Sequence, residues 1–293
     1  MTLNSTFVKK SKSPKIVKIT PINLSYNMKN KFTHHNTLTF LLLILLFPFF
    51  SFNPPTDKPS YRIRTIVLDP GHGGHDGATR GAIAREKDVA LQIALKLGKQ
   101  IEREMKDVKV IYTRKTDVFV KLYERVEIAN ANNADLFISI HCNSMPKRAG
   151  NERVSGTETF VSGYNRLGEQ DVAMRENASM LLEENYEENY DFDPTDPESL
   201  IIFRLMKNQF RDQSIKLASM VQDEFATSGR INRGVKEQSL AVLARAGMPA
   251  ILTEIGFISN PSEERYMTSD KGQAEIVNNL AQAIKNYKNL VER

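Results

Sequence analysis

The chain has 293 residues, enough for one large domain or two small ones, and a hydrophobic content of 41% is ample for a core. Its net charge of +5 is no nucleic-acid signature: residues 1–52 hold seven Lys and no Arg, Asp or Glu, and the remainder carries 33 basic against 35 acidic residues. The single cysteine, Cys142, excludes an intrachain disulfide and a cysteine-based zinc site.

Leu38–Phe50 is almost wholly apolar and follows Lys29 and Lys31. It is shorter than the ~20 residues of a membrane span and fits the apolar region of a signal peptide. Residues 1–52 are expected to be a leader, either a signal peptide or an uncleaved anchor, with Met28 a candidate start. Residues 53–60, rich in Pro and polar groups, form a stiff linker. An exported protein of the periplasm or cell envelope is implied, meeting a membrane only through the leader if that stays attached.

Residues 61–293 are expected to form one domain. Arg64–Asp69 is predicted as a strand. Glu86–Met105 is a helix, with Val89, Ile93, Leu97, Ile101 and Met105 every fourth residue. Lys109–Thr113 is a strand, Val120–Asn132 a helix with Leu122, Val126 and Ala129 on one face, and Leu136–Ile140 and Thr157–Ser162 are strands. This rhythm predicts an α/β fold, a mostly parallel sheet flanked by helices. The rhythm breaks from about 164 to 229. Helices are predicted at Gln170–Asn189 and Glu198–Phe225, on either side of the turn Asp193-Pro194-Thr195-Asp196-Pro197, and residues 183–198 are acid-rich. Leu240–Arg245 and Ala250–Ile255 restore the sheet as strands, and the helix Lys271–Val291 closes the chain.

Chemistry-bearing residues gather at predicted strand ends, where parallel sheets place function. The first strand runs into Asp69-Pro70-Gly71-His72-Gly73-Gly74-His75-Asp76-Gly77, a turn that leaves room for a metal beside the backbone. His141 ends the third strand, Glu254 lies in the last, and Glu86 opens the first helix. His141 also suits a hydrogen-bonded residue at a sheet edge, and Glu86 a carboxylate favoured by the helix dipole. Glu254, flanked by Ile251, Leu252, Ile255 and Phe257, carries a large desolvation cost without a partner. Cys142 points away from His141 and suits a small core residue. His75 and Asp76 suit loop or substrate groups, and His34 and His35 fall in the leader. Two His and a carboxylate form a catalytic zinc set with an open position, and a second carboxylate can take the proton of a bound water.

Asp69-Pro70-Gly71-His72-Gly73-Gly74, Glu86-Lys87, Ser139-Ile140-His141 and Thr253-Glu254-Ile255-Gly256-Phe257-Ile258-Ser259-Asn260, in this order, closely resemble the motifs of the zinc-dependent N-acetylmuramoyl-L-alanine amidases of the amidase-3 family. The resemblance runs from about Thr65 to Leu290. It implies His72, Glu86 and His141 as ligands of Zn2+ and Glu254 as the catalytic carboxylate. It also implies hydrolysis of the amide joining N-acetylmuramic acid to L-Ala of the peptidoglycan stem peptide. Similar cell-division amidases carry an inserted helical segment over the site, which the resemblance places at about 164–212 here, and in it the Glu of an Arg-Glu-Asn motif blocks the open metal position. Arg175-Glu176-Asn177 matches it, so Glu176 is expected to be an autoinhibitory ligand, and the role becomes cell separation. An activator of LytM type (an inactive metallopeptidase-like protein) is implied as the partner that withdraws the helix. Two other functions compete: a catalytically silent wall-binding or regulatory protein, and a zinc peptidase cutting within the stem peptide.

Overall fold

A computed structural model describes residues 61–163, 170–184, 186 and 209–293. The expected leader and linker, most of the acid-rich stretch and the start of the second insertion helix lie outside the described residues. Six strands, β1 (Thr65–Pro70), β2 (Lys109–Tyr112), β3 (Leu136–Asn143), β4 (Thr157–Ser162), β5 (Asn232–Gln238) and β6 (Ala250–Phe257), form one sheet in the order β2-β1-β3-β6-β4-β5. Among the described residues only the β4–β6 pair is antiparallel, so the mostly parallel sheet is as expected. Among the described residues seven helices accompany it: α1 (Glu86–Glu104), α2 (Leu122–Ala131), α3 (Asp171–Asn177), α4 (Arg211–Thr227), α5 (Ala241–Ala244), α6 (Pro261–Thr268) and α7 (Asp270–Val291).

Alternation along the strands builds two cores, because successive side chains leave opposite faces. Ile66, Leu68, Ile138, Ile140 and Ile251 join Ile93 and Leu97 of α1, Leu217 and Val221 of α4, and Ile276 and Leu280 of α7. Val67, Phe137 and Leu252 join Leu122 of α2, Ala173 of α3, and Val242 and Leu243 of α5. Full burial of each large aliphatic contributes about 1.5–3 kcal/mol. The same parity fixes the site. Asp69, Ser139, His141 and Glu254 fall on the second face, at the carboxyl ends of β1, β3 and β6, and His141 and Glu254 are register partners. Cys142 falls on the first face, in the core, as expected.

Two expectations need correction, and two elements, β5 and α6, were not foreseen. Leu240–Arg245 is not a strand; its centre is the short helix α5, with Val242 and Leu243 buried, because a short apolar run suits either state. The strand actually present is β5, whose charged sequence Asn-Arg-Gly-Val-Lys-Glu-Gln follows from its place at the sheet edge. The helix predicted from Gln170 ends at Asn177 and passes into a 3-10 turn, Ala178–Leu182. Helix α6 was not expected; Asn260 caps it, accepting from the backbone N–H groups of Ser262 and Glu263, and Pro261 occupies its first position.

Candidate metal centre

The loop after β1 presents His72 under backbone strain. His72 has φ of 57°, a left-handed conformation that costs a non-glycine residue about 1–3 kcal/mol. Two buried arginines oppose that cost by holding the loop carbonyls. Arg125 donates to Pro70 O (2.9 Å) and His72 O (2.9 Å), and Arg114 to Pro70 O (3.0 Å) and Gly71 O (2.7 Å). The charge of Arg125 is balanced by Asp69 at 2.8 Å, both fully buried. Burial alone would raise the Asp69 carboxyl, but Arg125, with hydrogen bonds from Ser139 and Thr113, holds it below its ordinary value. Gly71 is needed for close approach: a Cβ there would lie 2.5 Å from two atoms of the His141 ring.

Glu86, the first residue of α1, reaches the carboxyl end of β3. Its Oε1 accepts the Cys142 N–H at 3.0 Å, and its Oε2 the Thr79 N–H at 3.3 Å. Its Oε1 is 3.3 Å from His72 Nε2 and 3.1 Å from His141 Nδ1. Glu176 closes the set from α3, its Oε2 lying 3.1 Å from His72 Nε2 and 3.0 Å from His141 Nδ1. One donor atom from each of His72, Glu86, His141 and Glu176 thus lies within 4.8 Å of every other. His72 Nε2 and Glu176 Oε2 are buried with no aligned hydrogen bond, despite their short separation. His141 Nδ1 is aligned on Glu86 Oε1 as a hydrogen bond at 3.1 Å, but the remaining nitrogen–carboxylate contacts converge on a common centre, which suits a metal ion, and two carboxylates balance a dication.

Electrostatics agree with that balance. Burial would raise the Glu86 carboxyl, yet His72 and His141 hold it at about 2. Burial would lower His141, yet Glu176 and Glu86 raise it to about 9. His72 is likewise raised well above its ordinary value, against burial, by Glu86 and Asp76. Glu176 is held well below the usual carboxylate range, against burial, by His141 and Arg175. Glu254 behaves differently. Burial, then Glu176 and Glu86, raise it well above the usual range, and Arg175 offsets this only in part.

Glu254 stands beside this set rather than in it. Its Oε1 accepts from Arg175 Nη2 at 3.2 Å, while its Oε2 is buried with no hydrogen-bond partner among the described residues. Arg175 also donates to Glu176 Oε1 (2.9 Å) and Ser144 O (3.3 Å), so one guanidinium covers both carboxylates. The segment bearing Arg175 and Glu176 is pinned elsewhere. The Asn177 amide donates to Ser239 O (2.8 Å) and accepts from Ala241 N–H (2.9 Å), and Glu183 accepts the first N–H of α2 (3.0 Å). Glu183 is therefore a buried anchor rather than part of an exposed acidic surface. Under this cover about 10 Å³ of space remains between His72, His141, Glu176 and Arg125, near the minimum for one water. Beyond Arg175 a cleft of about 1210 Å³ runs past Asn143, Glu158, Phe160, Arg233, Lys236 and Phe257.

His75 is exposed and packs on Phe119 at 4.2 Å between ring centroids, outside the set. Sequence reasoning did not single out Arg114, Arg125 or Ser179. Arg125 had a signal: it sits with Leu122, Val126 and Ala129 on the apolar face of α2, where a lone charge calls for a buried partner.

Residues 66–286 match the family described as N-acetylmuramoyl-L-alanine amidase. The amidase AmiC of Escherichia coli O6:H1 is 34% identical over 233 residues, which are 76% of this chain and 52% of AmiC. AmiA of Escherichia coli K12 is 30% identical over 241 residues, 80% of this chain and 79% of AmiA. The chain thus spans about half of the first relative and about four-fifths of the second. The crystal structure of an N-acetylmuramoyl-L-alanine amidase from Clostridium difficile 630 superposes with a TM-score of 0.58 at 28% identity, covering 77% of this chain and 97% of that one. With the sheet order, the strand-end histidines and this likeness in agreement, the chain belongs to the N-acetylmuramoyl-L-alanine amidase family of hydrolases.

Proposed function

We propose that the protein is a zinc-dependent hydrolase of the amide bond between N-acetylmuramic acid and L-Ala in peptidoglycan, held inactive by its own inserted helix. The observation that carries this reading is the meeting of His72, Glu86, His141 and Glu176 around one point, beside the buried Glu254. In this reading His72, Glu86 and His141 would hold the ion, Glu176 would compete with water for it, and Glu254 is the acid–base. Zinc would supply Lewis acidity toward the scissile carbonyl and lower the pKa of the attacking water. Glu254 accepts the proton of that water and returns it to the departing L-Ala amine. Arg175 lowers the basicity of Glu254 only in part, so its withdrawal with the inserted helix would free Oε1 and raise the carboxylate's affinity for a proton further. The cleft beyond Arg175 gives the stem peptide an approach to Glu254.

Three further parts of the proposal rest on the family and on the sequence outside the described residues. Export by residues 1–52 brings the enzyme to the cell envelope, where its substrate is. Cell separation is the process served. A LytM-type partner relieves inhibition by binding the open state better than the closed one. The test is product analysis on purified muropeptides: the proposal predicts new amino ends on L-Ala. New ends only at other stem positions would make the protein a peptidase instead. No cleavage by zinc-loaded protein lacking residues 164–212 would make it a silent wall-binding protein.

A further inference from the structure

We propose that Asp76 is the positioning residue of His72, and that one of its oxygens couples the covering segment to the metal centre. The coupling rests on the closed-site reading above; the positioning needs only the geometry of the loop.

An imidazole can present either nitrogen, and the hydrogen bond made by the other decides which. His72 Nδ1 lies 2.9 Å from Asp76 Oδ2, which leaves Nε2 toward Glu86 and Glu176. His141 presents Nδ1 to the same two carboxylates, so the two histidines use different nitrogens. Asp76 is well placed to impose this choice because it is itself fixed. Its backbone exchanges two hydrogen bonds with Gly73 (3.0 and 3.1 Å), and its Oδ1 accepts the Ala78 N–H at 3.2 Å. Gly73 makes that exchange with φ of 128°, and a Cβ there would lie 2.3 Å from Val118 O. The carboxylate is buried and bolted to the loop that carries its target.

The oxygen that faces His72 has a second donor. Ser179 Oγ donates to Asp76 Oδ2 at 2.7 Å. Ser179 sits on the 3-10 turn that continues the helix bearing Glu176. A single oxygen thus receives an N–H from an expected metal ligand and an O–H from the cover. When the cover is down, its hydroxyl orders the carboxylate that orders His72. Linkage makes the effect mutual: whatever the cover adds to metal affinity, the metal adds to closure.

Metal affinity tests both halves without recourse to activity. Zinc binding to the purified full chain is measured by competition with a chelator, and the visible spectrum of the cobalt-loaded chain reports ligand geometry. Asp76→Ala is expected to weaken zinc binding about 10- to 100-fold and to shift the cobalt bands. Asp76→Asn, which keeps the shape and one acceptor oxygen, is expected to recover part of the loss. Ser179→Ala is expected to give a smaller loss in the wild-type background and none in the Asp76→Ala background. Unchanged affinity and spectrum in Asp76→Ala would overturn the positioning role. An equal Ser179→Ala loss in both backgrounds would overturn the coupling. If Asp76→Ala does not fold, Asp76→Leu, which fills similar space with no hydrogen-bonding atom, supplies the background and the same two comparisons decide. Failure of the wild-type chain to bind zinc at all is a separate result, and it strikes the proposed function instead.

Discussion

Replacing Glu176 with Ala removes the group that closes the centre without touching the other three donors. Its Oε1 is held by Arg175 at 2.9 Å, and its Oε2 stands 3.0–3.1 Å from both imidazoles. Hydrogen bonds to charged groups contribute about 1.5–3 kcal/mol each. Losing one such increment from the closed state alone shifts the closed–open balance roughly 10- to 100-fold, at about 1.4 kcal/mol per factor of ten. Basal cleavage of muropeptides, counted as new L-Ala amino ends, should rise by that factor. The rise is capped, because Asn177, Ser179 and Glu183 still pin the segment. Asn177→Ala separates release of the cover from removal of a ligand. It leaves the Ser239 carbonyl and the Ala241 N–H unpaired in the closed state, at about 1–3 kcal/mol each, and it should also activate while every metal donor stays. A Glu176→Ala protein with wild-type zinc content and an unchanged or lower basal rate would refute the reasoning.

Glu254→Gln should retain zinc, since Glu254 is not one of the converging donors, and should lose about 10²- to 10⁴-fold in turnover, measured in the Glu176→Ala background. Gly71→Ala should push a methyl group into the His141 ring and cost roughly 100-fold in rate, checked against metal content and a crystal structure. Asp69→Asn removes the charge facing Arg125 and should destabilise the fold by up to about 3–5 kcal/mol in denaturant titration at pH 7. The same substitution fixes a pH dependence. The Asp69 carboxyl is lowered in the folded state, so its contribution is complete above the unfolded value of about 3.9 and is lost as pH falls through the lower folded value. Asp69→Asn should therefore flatten the acid limb of the stability curve below about pH 4; an unchanged limb would show that Asp69 does not set it.

Periodicity made the inner parts of the fold legible. Strands β1, β3 and β6 are apolar runs that end in polar chemistry, and α1 shows its buried stripe at four-residue spacing. The edge was not legible in the same way. Strand β5 has a single apolar residue, Val235, because an edge strand in water needs no alternation, whereas α5 carries the apolar run that a strand would also suit. At the site, residue type and order picked out four side chains, and the structure brings His72, Glu86 and His141 together with Glu254 adjacent. The supports were hidden because they act across sequence distance. Arg125 is 53 residues from the carbonyl of His72 that it holds, and Ser179 is 103 residues from Asp76. The place of Arg125 on an apolar helix face signals that a partner exists but not which one, and Ser179 leaves no such pattern. Asp76 was visible as a loop acid, but its task depends on which nitrogen of His72 turns inward, a matter of rotamer rather than of spacing.

The account depends most on one ion shared by His72, Glu86, His141 and, in the closed state, Glu176. Zinc-edge X-ray absorption on the purified full chain tests this directly. The expected spectrum has two imidazoles and oxygen donors at about 2.0–2.2 Å, with one oxygen contribution altered in Glu176→Ala. A sulfur scatterer at about 2.3 Å, which would implicate Cys142, or protein that takes up no zinc, would contradict it.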